Sequence, residues 1–345
     1  MNLFDYARAA TLADAVASGR AEGAAFLAGG TNLLDLMKAN LVRPARLVDI
    51  TRLPGLDRIE PLADGGVRIG ALVRNSALAH DAMFARTFPA VAEALLSGAS
   101  PQLRNAATVA GNVMQRTRCP YFYDAASACN KREPGAGCDA RGGHTRLQAV
   151  LGWSEHCIAT HPSDFCVPLV AFDAVAEIDG PRGRREVPLE ELFLLPGDTP
   201  ARETVLTPGE LIVAIRLPGE AAAFAGHARY VKIRDRTSYA FAVVSVAAGL
   251  RVAGERIVEA RLAFGGVALK PWRAREAEAA LRDRPLGRAA FAEAAALALR
   301  DARPSGANDF KIELARRLAV RALERAAQRT PARLPPLPAS VVNLV

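Results

Sequence analysis

Residues 25–39 read Ala25-Phe26-Leu27-Ala28-Gly29-Gly30-Thr31-Asn32-Leu33-Leu34-Asp35-Leu36-Met37-Lys38-Ala39. An apolar triplet, Ala25–Leu27, has the length and character of a short strand. Two glycines then punctuate the chain, and Leu33–Ala39 carries helical spacing. The unit is therefore strand, tight glycine turn, helix. Backbone N–H groups at such a turn, with the helix start behind them, favour a phosphate. Glycine lets a ligand approach the main chain closely. Read alone, the stretch is equally a plain strand-to-helix connection.

Outward from it, Thr11 with Asp14 marks the start of a first helix that has Leu12, Ala15 and Val16 on its apolar side. Arg46–Ile50 predicts a strand. Asp57–Leu62 and Val67–Leu72 predict a hairpin around Asp64-Gly65-Gly66. Ala90–Leu96 reads as an apolar helix. Arg104–Val113 crowds small residues with Thr108, Gly111 and Asn112, which suits a close approach to a ligand or a packed turn. Val167–Ile178 is an apolar run, and Arg184–Val187 and Glu210–Leu217 are expected strands. Gly219–Gly226 is a small-residue linker and the best boundary. Beyond it, His227–Ile233, Ala242–Val252 and Ile257–Gly265 predict three antiparallel strands. Three helices follow, at Pro271–Arg282, Arg288–Arg300 and Asn308–Arg329. The last has Ile312, Ala315, Leu318 and Ala319 on one face. Thr330–Val345 is proline-rich and expected to be extended.

Between the Gly-Asn turn and the apolar run lies the second unusual stretch, Arg118–Cys166. It holds all five cysteines of the 345-residue chain, spaced C-x9-C-x8-C-x18-C-x8-C. It shows no clean period of 2 or 3.6, so it reads as an ordered loop held by something covalent or metallic. Disulfides are disfavoured by the odd count and the size of the chain. Structural zinc usually announces itself with paired C-x2-4-C knuckles, and none occur. The spacing matches neither common ferredoxin pattern. Spacing alone leaves iron–sulfur only slightly ahead of the other two.

Composition bounds the rest. Half of the residues are hydrophobic and 23% are charged, the balance of a globular chain with sizeable cores. The length predicts two or three domains. A formal charge of +8 comes mostly from arginine on helix faces, without the aromatic interleaving of a nucleic-acid site. A basic surface suits an acidic protein partner. No run approaches the roughly 20 apolar residues of a membrane span, and the first residues do not read as a signal peptide. There is no P-loop lysine motif, no G-x-G-x-x-G and no H-E-x-x-H.

Four motifs carry a resemblance: Leu27-Ala28-Gly29-Gly30-Thr31-Asn32-Leu33, Thr108-Val109-Ala110-Gly111-Asn112, Pro162-Ser163-Asp164 and Tyr230-Val231-Lys232. In this order, with the C-terminal strands and helices, the chain resembles the FAD-binding medium subunits of molybdenum hydroxylases, the xanthine dehydrogenase and carbon monoxide dehydrogenase family. Most members run directly from the Gly-Asn turn to the Ser-Asp segment. The inserted cysteine loop is similar to that of the flavin subunit of periplasmic aldehyde oxidoreductases, where it carries a [4Fe-4S] cluster. Arg118-Cys119-Pro120-Tyr121-Phe122, Cys129–Pro134 and Cys157–Asp164 carry that match.

The resemblance implies an α+β fold. Residues 1–220 would form an FAD-binding PCMH-type two-subdomain α/β unit, with the [4Fe-4S] loop inserted at about 115–163. Residues 227–330 would form the C-terminal domain of three antiparallel strands plus helices, and 331–345 an extended tail. It assigns Leu27, Ala28, Gly29, Gly30, Thr31, Asn32 and Leu33 to the FAD pyrophosphate. It assigns Thr108, Gly111 and Asn112 to the second cofactor turn, Asp164 to the ribityl or ring edge, and Ile212 and Lys232 to the flavin. Taken without the resemblance, Lys232 is a solvent-exposed strand lysine. Tyr239 is a candidate to cover the ring. Cys119, Cys129, Cys138 and Cys157 would ligate the cluster, and Cys166 reads as a buried structural thiol.

The implied activity is that of an electron-transfer subunit of a heterotrimeric molybdenum-dependent aldehyde oxidoreductase. Its partners would be a molybdopterin-binding large subunit, a [2Fe-2S] small subunit and an external acceptor, for which a small acidic redox protein is a candidate. The runners-up are the flavin subunits of 4-hydroxybenzoyl-CoA reductase-type and xanthine dehydrogenase-type complexes. Outside the enzymes, a cofactor-free or zinc-bound scaffold subunit is the alternative. The expected compartment is the periplasm, reached with a partner that bears the export signal, or the cytoplasm.

Overall fold

A computed structural model describes residues 1–332; the expected tail lies outside the described residues from 333 onward. The first layer is a small parallel sheet. Strands β1 (Asp5–Arg8), β2 (Ala24–Leu27) and β3 (Arg46–Asp49) pair in the order β1-β3-β2. The helix Leu12–Gly19 connects the first two, and Thr11 starts it with a full capping box to Asp14. The helix Leu33–Lys38 connects the second and third. The second link is the crossover that parallel neighbours require, and the first passes from β1 to β2, which lie on either side of β3.

A five-stranded antiparallel sheet follows, in the order β4-β5-β8-β6-β7. Its strands are β4 (Ile59–Pro61), β5 (Val67–Gly70), β6 (Val175–Asp179), β7 (Arg185–Pro188) and β8 (Leu211–Leu217). Between β5 and β6 the chain leaves the sheet for about a hundred residues, through short helices and the cysteine loop. Arg68, on β5, donates to Glu177 on β6 at 2.9 Å and to Glu60 on β4 at 3.0 Å, which ties the sheet across its exposed face.

The C-terminal sheet has order β12-β11-β10-β9, from β9 (Ala228–Ile233), β10 (Val244–Ala253), β11 (Arg256–Gly265) and β12 (Trp272–Arg273). The expectation of three strands is therefore corrected to four, the last only two residues long. Residues 271–273, expected at the start of a helix, pair Trp272 with Phe264 instead, and the helix begins at Arg275. Buried Arg273 explains the change, because Glu278 and Asp173 hold its guanidinium in place. The helices Arg275–Leu281, Arg288–Ala298 and Phe310–Ala327 pack on this sheet. Ala315, Leu318 and Ala319 are buried as their spacing predicts. The Gly219–Gly226 linker is folded into a helical turn, Gly219–Ala222. The apolar run 167–178 splits into a helix, Cys166–Ala171, and β6. Asp173, at φ 56°, turns the corner between them. Among the described residues no helix is long and apolar enough to cross a membrane.

Candidate functional site

The glycine turn after β2 forms one wall of a cleft of about 780 Å³, a size that suits a large organic cofactor. Gly30 sits at φ +72°, a conformation that disfavours any side chain. A Cβ on Gly29 would lie 2.3 Å from the carbonyl oxygen of Ala106, so the turn is locked against the helix Pro101–Ala106. Thr31 and Asn32 line the cleft with these glycines. Asn32 Oδ1 accepts the backbone N–H of Arg116 at 2.8 Å, while its Nδ2 is buried without a protein partner.

The second turn supplies the adjoining wall. Thr108 starts the helix Val109–Val113, its Oγ1 accepting the Gly111 N–H at 3.3 Å. Gly111 and Asn112 line the cleft, whereas Thr108 is turned away from it and acts as their support. Asn112 Oδ1 accepts the Ser163 hydroxyl at 2.8 Å, which fixes the Pro162-Ser163-Asp164 segment beside the turn.

At the base of the cleft Asp164 accepts hydrogen bonds from Tyr230 Oη at 2.6 Å and from Lys232 Nζ at 2.7 Å. The Lys232 side chain is only 4% exposed, so the solvent-exposed reading of this lysine is corrected. Its partner lies 68 residues away, and its neighbour on β9, Tyr230, is buried as well. Burial and the Asp164 charge push the Tyr230 phenol well above its ordinary value, so it stays a donor. A neutral donor and a cation thus share one carboxylate, which leaves acceptor sites and positive charge for a polar ring edge.

The structure does not bring every expected residue to this cleft. Leu27, Ala28 and Leu33 are not among its lining residues; they flank the turn that is. Ile212 packs in the core of the five-stranded sheet, paired with Ile178, and does not face the cleft. Tyr239 stands at the rim, half exposed with φ 51°. Sequence reasoning missed part of the lining, where Asn75, Gly98 and Arg104 contribute. Arg104 Nη1 donates to the Gly98 carbonyl at 2.7 Å, and its Nε is buried without a partner, as is Asn75 Oδ1. Buried polar atoms without partners are rare in folded proteins. With Arg118 Nε, four of them around one cleft fit a polar cofactor that satisfies them.

The cysteine loop packs behind this cleft. Asp35 and Lys38 of the helix Leu33–Lys38 face the cleft. Leu36, from the same helix, packs with Cys119, Phe122, Cys157 and Ile158. Arg118 spans the two regions, lining the cleft and donating to Asp35 at 3.2 Å. All five cysteines are free thiols. Cys119, Cys129, Cys138 and Cys157 line one small cavity, with about 10 Å³ of space for water. Cys129 and Cys138 sit opposite each other in a miniature hairpin, closed by Asn130 N to Gly137 O at 2.7 Å and Asp139 N to Ala128 O at 3.1 Å. Asn130 Oδ1 accepts the Gly137 N–H, and Arg132 donates to the carbonyls of Tyr121 and Phe122 at 3.0 Å. Among the described residues no three His, Cys, Asp or Glu side chains converge closely enough to hold a single metal ion.

Burial raises the thiol pKa of Cys119, Cys138 and Cys157, the last to about 11, and neighbouring thiols add to each. Lys131 pulls Cys157 the other way. Cys166 belongs elsewhere. It is fully buried in the core beside the five-stranded sheet, and burial pushes its thiol up to about 12, as a structural thiol requires.

The C-terminal part grips the end of the loop. Lys311, fully buried, donates from Nζ to the carbonyls of Leu147, Gln148 and Gly266 at 3.1, 2.8 and 2.6 Å. Asn308 Nδ2 reaches the Gln148 carbonyl at 3.0 Å, and Gln148 Nε2 donates to Cys119 Sγ at 3.4 Å.

This geometry agrees with comparisons to known proteins. Residues 2–220 match the family described as the FAD binding domain in molybdopterin dehydrogenase, and residues 229–326 the CO dehydrogenase flavoprotein C-terminal domain. The chain is 49% identical over 328 residues to the aldehyde oxidoreductase FAD-binding subunit PaoB of Escherichia coli, covering 94% of this chain and 99% of that one. It is 30% identical to the carbon monoxide dehydrogenase medium chain of Afipia carboxidovorans, with 94% and 97% covered. Among solved structures, reconstituted CO dehydrogenase from Oligotropha carboxidovorans superposes with a TM-score of 0.75 at 27% identity, over 95% of this chain and 99% of that one. The matches over both halves of the chain show its lineage: the chain belongs to the molybdenum hydroxylase family as an FAD-binding medium subunit, an oxidoreductase subunit of the aldehyde oxidoreductase, xanthine dehydrogenase and CO dehydrogenase type.

Proposed function

We propose that this subunit binds FAD and a [4Fe-4S] cluster and relays electrons within a molybdenum-dependent aldehyde oxidoreductase. The observation that carries the reading is the meeting of Cys119, Cys129, Cys138 and Cys157 at one cavity, one helix away from the flavin cleft. Four thiols are the donor set of a cubane cluster. The 49% identity to an aldehyde oxidoreductase subunit favours aldehyde oxidation over the other chemistries of the lineage.

Gly29, Gly30, Thr31 and Asn32 would hold the pyrophosphate, Gly111 and Asn112 the second turn, and Asp164 with Lys232 the ring edge. Bound FAD supplies a carrier that takes one or two electrons, and an iron–sulfur cluster a one-electron carrier beside it. Lys232 offers its cation where negative charge on a reduced ring collects, and Tyr230 orients Asp164. Four cysteines on the cavity and one in the core leave none for [2Fe-2S] centres. A [2Fe-2S] small subunit and a molybdopterin-binding large subunit are therefore the proposed partners, with an external acceptor to discharge the electrons. Fractionation of the native cells decides between periplasm and cytoplasm.

The test is the spectrum and metal content of the purified protein. Flavin bands over a broad brown shoulder, with iron and acid-labile sulfide, are expected. A folded protein with flavin and zinc, or with flavin and no metal, would overturn the cluster and leave the FAD subunit standing.

A further inference from the structure

The loop contains a buried cation that the flavin cleft does not use. Lys131 lines the thiol cavity, and its side chain is 0% exposed. Nζ donates to the Pro200 carbonyl at 2.9 Å and lies 3.6 Å from Glu203 Oε2. Glu203 does not neutralise it alone, because the same carboxylate accepts Arg116 Nε at 2.6 Å. Arg116 is itself fixed, stacked 4.7 Å over the Phe122 ring and bonded to Asn32 through its backbone. Two cations thus share one carboxylate, and the group carries a net +1 against the cavity. An ammonium removed from water is costly unless something nearby compensates it. On the cavity side the compensation available is sulfur. Lys131 lines that cavity together with Cys119, Cys129, Cys138 and Cys157.

We propose that Lys131 is the counter-charge of the four-thiolate centre and that, with Glu203 and Arg116, it sets the centre's reduction potential. The inference rests on the cluster reading above. One electron from a reduced donor adds one negative charge to the cluster, and no bond or proton has to move. A fixed buried cation stabilises the reduced form over the oxidised one, and does so strongly where water is excluded. Lys131 is a positioning charge here, not a catalytic residue. Its partner Glu203 should act with the opposite sign.

The experiment is an EPR-monitored redox titration of the intact purified complex, with mediator dyes and dithionite, for the wild type, Lys131→Gln and Glu203→Gln. Lys131→Gln should keep its iron and FAD and lower the ratio of reduced to oxidised cluster at a fixed potential by about tenfold, or about 59 mV for one electron. Glu203→Gln should raise that ratio. Shifts of opposite sign support the assignment. Two unchanged midpoints, or two shifts in the same direction, overturn it, because a packing role has no reason to follow charge. Should Lys131→Gln lose iron, the sign of the Glu203→Gln shift decides alone. Absence of iron from the wild type sinks the cluster reading itself, and is seen before any variant is made.

Discussion

The flavin cleft and the thiol cavity lie on opposite sides of one short helix and are built on opposite principles. The cleft is assembled from the ends of regular elements: the turn after β2, the start of the helix Val109–Val113 and one edge of β9. Its side-chain anchors, such as Asn75, Asp164 and Lys232, reach it from far apart in the sequence. The cavity is assembled within one continuous loop, whose backbone is held by its own side chains and, at its end, by Lys311 and Asn308. A site made of backbone and distant partners tolerates sequence drift and leaves a faint trace. A site made of four like side chains on one segment leaves a strong trace and depends on each of them.

The largest effects should separate the two regions cleanly. Gly30→Val places a branched side chain at φ +72°, its Cβ 2.8 Å from Leu34 Cδ1, on the wall of the cleft. FAD should be lost while iron is retained, as read by flavin fluorescence and iron content. Cys129→Ser should do the reverse, losing iron and keeping FAD. Coupled loss of both cofactors in either variant would break the comparison.

An intermediate effect should come from the clamp between the two halves of the chain. Lys311→Met strips three buried carbonyls of their donor. The expected cost is about 3 kcal/mol of stability, measured by denaturant unfolding, with iron lost more readily than flavin because the released segment carries Gln148. Equal loss of both would show that the clamp serves the whole fold rather than the loop.

The smallest effect sits far from either site. Arg185, through its hydrogen bonds, holds the Glu210 carboxylate down to about 2 from 4.5. A depressed folded value stabilises the protein above the unfolded value, and that stability fades as pH falls from about 4.5 through about 2. The unfolding midpoint of Glu210→Gln should therefore lie below the wild type at pH 6 and approach it at pH 3. A gap that stays constant with pH would contradict the pair.

How far the molecule was legible follows the same division. The strands other than β1 and β12, the Thr11 cap, the glycine turns and the cysteine loop are local patterns, and they appear where the residues predict. Asn75 and Arg104 carry no such pattern: they meet the glycine turn only through tertiary packing. Lys232 looks like an exposed strand lysine because nothing local shows that Asp164, 68 residues away, lies beside it. β12 was hidden because Pro271 is an acceptable helix start, while the pairing of Trp272 with Phe264 is a non-local preference. Ile212 was assigned by position in a resembling family, and its place in the core of the five-stranded sheet shows the limit of carrying a contact across without its neighbours.

The most direct measurement is iron, acid-labile sulfide and flavin per chain in the complex purified without oxygen through a tag on this subunit. Four iron, four sulfide and one FAD attributable to this chain, with the iron and sulfide lost together in Cys129→Ser, are the predicted result. Flavin present in full with iron only at the level the partner subunits carry would contradict the account.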